Sequence, residues 1–279
     1  MRVPSVKYYY MTEHRNLPAI DRLSIVTAMV LLTYSVTAFV QIPERALELQ
    51  LPGFLFVVKL GIFTVVSVLV ALLAAAGCEW VLAGHPHLGE QRHWYHWILP
   101  ALTSMTIGVP LNSLEVGPAW WVIFGMGGIL LLGVLIAEYI SVDPEDHNYQ
   151  LACMVLTVVF MSLFLILAIA VRGAELRLYA VLSTLVPASA LLSARIIHLR
   201  LAGRWHLAWV GAISLILGQA AIGLFYLPVK PIQFGLLLLA VLYGLTSLAG
   251  NAEEEQTARR LWLEPAAMFT VFFIFSFIL

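Results

Sequence analysis

Residues 148–171 read NYQLACMVLTVVFMSLFLILAIAV. These 24 residues contain no Asp, Glu, Lys, Arg or His. The hydrocarbon core of a bilayer is about 30 Å thick and is crossed by roughly 20 apolar helical residues. A helix satisfies its own backbone hydrogen bonds there, where no water can do so. The stretch is therefore read as a membrane-spanning helix. Its polar members Gln150, Cys153 and Thr157 are spaced by three and four, which places them on one helical face.

Working outward, eight more segments have the same character. They are 22–41, 54–77, 96–113 and 119–141 before it, and 177–198, 206–227, 231–250 and 262–279 after it. The connections between them are short and rich in Pro, Gly or charge, as in Val142–Asp146. The sequence thus predicts an all-α integral membrane protein, a polytopic bundle of nine transmembrane helices in a single transmembrane domain with no soluble domain. Segment 96–113 carries Pro100 and Pro110 and ends in Asn112 and Ser113. If it is re-entrant, the number of spans falls to eight.

Composition agrees. Of 279 residues, 61% are hydrophobic and 11% charged, with a mean hydropathy of +0.93. A soluble domain carries about 45–50% apolar and about 25% charged residues. A soluble enzyme and a disordered chain are excluded by this arithmetic. The net charge of −1 leaves no basic face for nucleic acid. The expected partner is the lipid bilayer, with other membrane subunits or a homo-oligomer as further options. Cys78 and Cys153 lie too far apart for a metal motif and form no disulfide framework.

Basic residues orient the bundle. With nine spans, Arg2, Lys7, Arg15, Arg22, Arg92, Arg195, Arg200, Arg204, Arg259 and Arg260 fall on one side, and Arg45, Arg172, Arg177 and Lys230 on the other. Removing the third span reduces this to eight against six. The positive-inside rule favours nine spans, with the N-terminus cytoplasmic and the C-terminus opposite, in an inner or plasma membrane. The first apolar run, Leu23–Val40, lacks a small-residue cleavage site and is read as a retained helix. Lys59 is placed inside the second span with its stem snorkelling outward.

Charge buried in lipid is costly, so intramembrane ionisable groups are the first functional candidates. Glu138 lies about 28 Å along the fourth span at 1.5 Å per residue. Arg195 lies at a similar depth in the sixth, which runs the same way, so a Glu138–Arg195 ion pair is expected to join these two helices. Neutral polar groups form a second class. The first span has a stripe of Ser24, Thr27, Tyr34, Thr37 and Gln41, and the eighth has Tyr243, Thr246 and Ser247. Gln219 sits at the middle of the seventh beside Gly211, Gly218 and Gly223. Of these, Gln219, Tyr34, Thr27, Gln41 and Tyr243 are the candidate ligand contacts. The glycines of the fourth span, Gly125, Gly127, Gly128 and Gly133, predict close helix approach.

Four histidines, His85, His87, His93 and His96, crowd one connection. Imidazoles with Glu79 or Glu90 nearby could bind a transition metal or a haem. The H-x-H-x5-H-x2-H spacing matches no established metal signature, so no cofactor is assigned. Segments 3–5 and 6–8 share Trp120/Trp205 and Gly133/Gly218 at an offset of 85, the outline of an inverted repeat with broken third and sixth helices. No phosphate loop, dinucleotide motif or nucleophile elbow occurs. Three functions stay open. They are a permease for a small neutral solute or lipid, a non-catalytic subunit of a larger membrane complex, and a lipid- or metal-dependent membrane enzyme.

Overall fold

A computed structural model describes residues 18–40, 45–51, 54–85, 95–201, 205–254 and 258–278. In chain order the described elements are α1 (Ile20–Phe39), β1 (Arg45–Leu51), β2 (Phe54–Leu60), α2 (Ile62–Leu82), α3 (Tyr95–Ser113), α4 (Pro118–Ile140), α5 (Tyr149–Gly173), α6 (Leu178–Arg200), α7 (Leu207–Phe225), α8 (Pro231–Glu253) and α9 (Ala258–Ile278). Seven of these nine helices, α1, α2 and α4 to α8, are long and apolar enough to cross a membrane. The protein is a helical integral membrane bundle.

Successive helices run in opposite directions. Arg22 at the start of α1 donates to the carbonyl of Trp80 at the end of α2, and Arg200 at the end of α6 reaches Glu254 just past α8. We call the end holding the start of α1 proximal and the other distal. Pro118 and Pro231 occupy the first turns of α4 and α8, where their missing N–H costs nothing.

The second segment departs from the sequence reading. Residues 54–60 form β2, paired antiparallel with β1 from Arg45 opposite Leu60 to Leu51 opposite Phe54. The helix starts only at Ile62, so Lys59 lies in a distal hairpin and not within a span. The cause is local. Phe54, Phe56, Val57 and Val58 are strand formers, and Pro52-Gly53 precedes them as a turn signal.

The third helix does not turn back. It runs unbroken from Tyr95 to Ser113 despite Pro100 and Pro110. Its two ends meet opposite ends of the bundle. His96 meets the proximal end of α4, and the Leu111 carbonyl accepts from Trp120 Nε1 at the distal end, at 3.1 Å. His96, Leu99, Thr103, Ile107 and Leu111 are buried at helical spacing against α2, α4 and neighbouring helices. The sixth helix is likewise continuous through Pro187. Neither helix shows the break expected of a discontinuous repeat.

Two hydrophobic cores share α3 and α4. One gathers α1, α2, the distal half of α3 and one face of α4, with Tyr34, Val70, Trp120 and Leu131 fully buried. The other gathers the proximal end of α3, the other face of α4, and α5 to α8, with Phe160, Phe164, Leu185 and Phe234 at its centre. Helix approach is set by glycines. A Cβ at Gly127 would strike Ile107 of α3, and one at Gly128 would strike Leu31 of α1. Gly125 and Gly133 of the same helix face open space.

Candidate functional site

The seam between the two cores holds charge. Glu138 near the end of α4 and Arg195 near the end of α6 meet through Oε2 and Nη2 at 2.5 Å. His96, one residue into α3, places Nδ1 2.6 Å from the same oxygen. Exposure is 0% for Glu138 and 2% for both Arg195 and His96, so the three are shielded from lipid and water alike. A guanidinium only donates and a carboxylate only accepts. Nδ1 lies 3.0 Å from Arg195 Nη2, but it can serve only one partner. The shorter contact assigns the proton to Nδ1, so that His96 and Arg195 both donate to Oε2. Among the described residues, Glu138 Oε1 and Arg195 Nε have no hydrogen-bond partner.

An aromatic lid closes this centre on the proximal side. The Tyr95 ring lies 4.9 Å from the Arg195 guanidinium carbon, within cation–π range. His198 stacks on Trp205 at 4.2 Å, and Tyr95 meets both edge-on. Cys78 of α2 donates its thiol to the His96 carbonyl at 3.4 Å, and Ser141 donates to the Glu138 carbonyl at 2.9 Å. Four helices are thereby tied at one level.

The remaining sequence candidates scatter. Tyr34 is fully buried and donates to the Ser104 carbonyl at 2.6 Å, close to Gly108, where a Cβ would meet the phenol. Thr27 is buried against the first core, with no hydrogen-bond partner for Oγ1. Gln219 is exposed on the outer face of α7. Gln41, His87 and His93 lie outside the described residues. His85 packs edge-on to Tyr139 at 4.6 Å, away from the contact that His96 makes with Glu138. Among the described residues no three His, Cys, Asp or Glu side chains come together as a metal site.

Among the candidate ligand contacts that the structure describes, Tyr243 alone lines one of the cavities. This is a half-open groove of about 800 Å³ between α5, α6, α8 and α9 at the proximal end. Two smaller cavities, of about 650 and 440 Å³, lie at the distal end. The polar faces of α5 (Gln150, Cys153, Thr157) and of α8 (Tyr243, Thr246, Ser247) look onto this one groove. Met154, Val158 and Met161 complete the α5 wall. The wall runs from Tyr149 and Gln150 at the rim to Met161, about 18 Å deeper at 1.5 Å per residue.

Sequence reasoning misses the charged residues at the rim. Arg200 donates from Nε to Glu254 Oε1 at 2.8 Å and from Nη2 to Asn251 Oδ1 at 2.6 Å. Glu253 accepts from Trp209 Nε1 at 2.8 Å. Tyr243 shares a hydrogen bond with Glu264 of α9 at 3.2 Å. The depth argument that pairs Glu138 with Arg195 would also have paired Arg200 with Glu254, because α6 and α8 run in the same direction and end at one level.

Residues 42–279 match the family described as protein of unknown function (DUF5656), and the chain belongs to that family. No curated protein and no solved structure matches the chain.

Proposed function

We propose that the protein is a permease-like bundle that admits an amphiphile, a lipid or a small neutral solute with an apolar tail, into the groove between α5, α6, α8 and α9. The groove itself carries the reading. It is large enough for a small ligand, and it sets polar groups of α5, α8 and α9 beside the apolar Met154, Val158 and Met161. The exposed neighbours Leu151, Met154, Val155 and Val158 give it a lateral opening toward lipid. The ionic centre supports the reading as a fixed joint beside it. Tyr149 lines the groove and donates to the Leu199 carbonyl at 2.9 Å, four residues from Arg195. In this reading the proximal end, to which the sequence count assigns most of the basic residues, faces the cytoplasm.

The test uses an alkyl glucoside with a photoreactive diazirine in its tail. The full chain is reconstituted in phosphatidylcholine nanodiscs, irradiated and mapped by peptide mass spectrometry. Labelling is expected to concentrate on residues 149–161 and 243–247, and Thr157→Trp, which fills the groove, should remove it. Labelling spread evenly onto the outer face of α7, around Leu215 and Gln219, would sink the proposal.

A further inference from the structure

The groove also carries charge. Three charged side chains line it, Arg200, Glu254 and Glu264. Arg200 is already engaged. Besides its bonds to Glu254 Oε1 and Asn251, it donates from Nη1 to the Ser247 carbonyl at 3.3 Å and from Nη2 to Glu254 Oε2 at 3.3 Å. A guanidinium held in this way has little left for the bidentate grip that phosphate needs. Glu264 differs. It forms no ion pair among the described residues, and its one hydrogen bond is with the Tyr243 phenol.

Two aromatic rings line the groove, Tyr243 beside Glu264 and Tyr149 on α5. The Tyr149 hydroxyl is occupied by the Leu199 carbonyl, so the ring is what it can offer a ligand. Ser247 adds a donor and acceptor. It lines the groove, is 5% exposed, and its Oγ has no hydrogen-bond partner. A carboxylate with a tyrosine ring beside it, as Glu264 has Tyr243, attracts an ammonium electrostatically and through the ring quadrupole, and it repels a phosphate.

We infer that the groove selects amphiphiles with an ammonium head group, which Glu264 receives beside Tyr243 while the alkyl chain lies along Met154, Val158 and Met161. The inference rests on the reading of the groove as an amphiphile site and adds the class of head group. Two sources share this chemistry, a free long-chain amine and a bilayer phospholipid with a choline or ethanolamine head.

Four diazirine-tailed probes of equal chain length separate the possibilities. Their heads are trimethylammonium, glucoside, phosphate and phosphocholine. Each is photolysed with the full chain in phosphatidylglycerol nanodiscs, whose lipids carry no ammonium head to compete for the groove, and groove labelling is normalised to the outer face of α7. Trimethylammonium is expected to exceed phosphate by roughly tenfold, the scale of one charge-assisted contact. Glu264→Gln should abolish that preference, while glucoside labelling of the groove, whatever its level, reports that the site is still formed. Phosphocholine labelling equal to trimethylammonium identifies a phospholipid as the source, and weaker labelling identifies a free amine. Phosphate labelling equal to or above trimethylammonium overturns the inference, as does a preference that survives Glu264→Gln. If glucoside still labels the groove in those cases, the amphiphile reading stands without it. If no probe labels the groove, both fall.

Discussion

Arg195 and Arg200 lie five residues apart on α6 and end in opposite surroundings. Arg195 is 2% exposed and meets a carboxylate that is fully buried. Arg200 keeps 28% of its side chain exposed and meets Glu254 at a groove mouth. Both are ion pairs between helices, yet the physics differs. In a low-dielectric interior an unmatched charge is far more costly than a matched pair, so each partner there is obligatory. At a half-exposed rim, water screens the loss of either partner, and the pair contributes little to stability. The buried centre, among the described residues, is enclosed by protein and ties together helices of the two cores. The groove carries similar groups in an open setting, where they can meet something else.

The contrast is broken most directly at the joint. Glu138→Leu leaves Arg195 buried with no carboxylate, and Arg195→Leu leaves Glu138 with only the His96 imidazole; each is expected to cost about 3–5 kcal/mol. The matching change at the rim, Arg200→Leu, should cost about 0–1 kcal/mol. Thermal midpoints in detergent report both. Exchanging the charges, Glu138→Arg with Arg195→Glu, should recover part of the loss, because His96 still finds a carboxylate. Equal losses at Arg195 and Arg200 would show that burial does not separate the two sites.

How far these sites can be read from the sequence depends on which coordinate matters. Depth along a span follows from counting residues, and counting alone pairs Glu138 with Arg195. Which face a polar residue occupies also follows from spacing, so Gln150, Cys153 and Thr157 are legible as one side of α5. Rotation about the helix axis relative to neighbours is not local information. It decides that the polar faces of α5 and α8 share a groove, that Gln219 looks outward, and that Gly127 packs while Gly125 does not. His96 groups by sequence with its loop neighbours as a metal candidate, since nothing in H-x-H spacing points to a carboxylate 42 residues away. The hairpin at 45–60 is hidden in the sequence because the apolar residues of β2 run on into those of the next helix with only Lys59 between them, and a single lysine can snorkel from a span.

A second, smaller test couples backbone approach to the rim. A Cβ at Gly250 of α8 would collide with the Arg200 guanidinium. Gly250→Val is expected to cost about 1–3 kcal/mol by overpacking. Arg200→Ala should return most of it, because the atom in the way is a long side chain and not backbone. Non-additivity in this double-mutant cycle is the measurement. Strict additivity would mean that the two helices separate instead of displacing Arg200.

The smallest effect compares two tyrosines that the sequence ranks alike as ligand contacts. Tyr34 is fully buried, and its hydroxyl donates at 2.6 Å to the Ser104 carbonyl of α3. Tyr243 lines the groove, and its hydroxyl meets Glu264 at 3.2 Å where water also has access. Interhelical hydrogen bonds inside membranes average about 0.6 kcal/mol. Tyr34→Phe should cost that or somewhat more, because no water replaces the lost donor. Tyr243→Phe should fall within about 0.5 kcal/mol of zero, the range of an exposed substitution. The thermal midpoint would then drop measurably for the first and not for the second, while labelling of the groove by the trimethylammonium probe would move only for the second. The opposite pattern would place the ligand against α1 and α3, inside the first core, and would take the groove out of the mechanism.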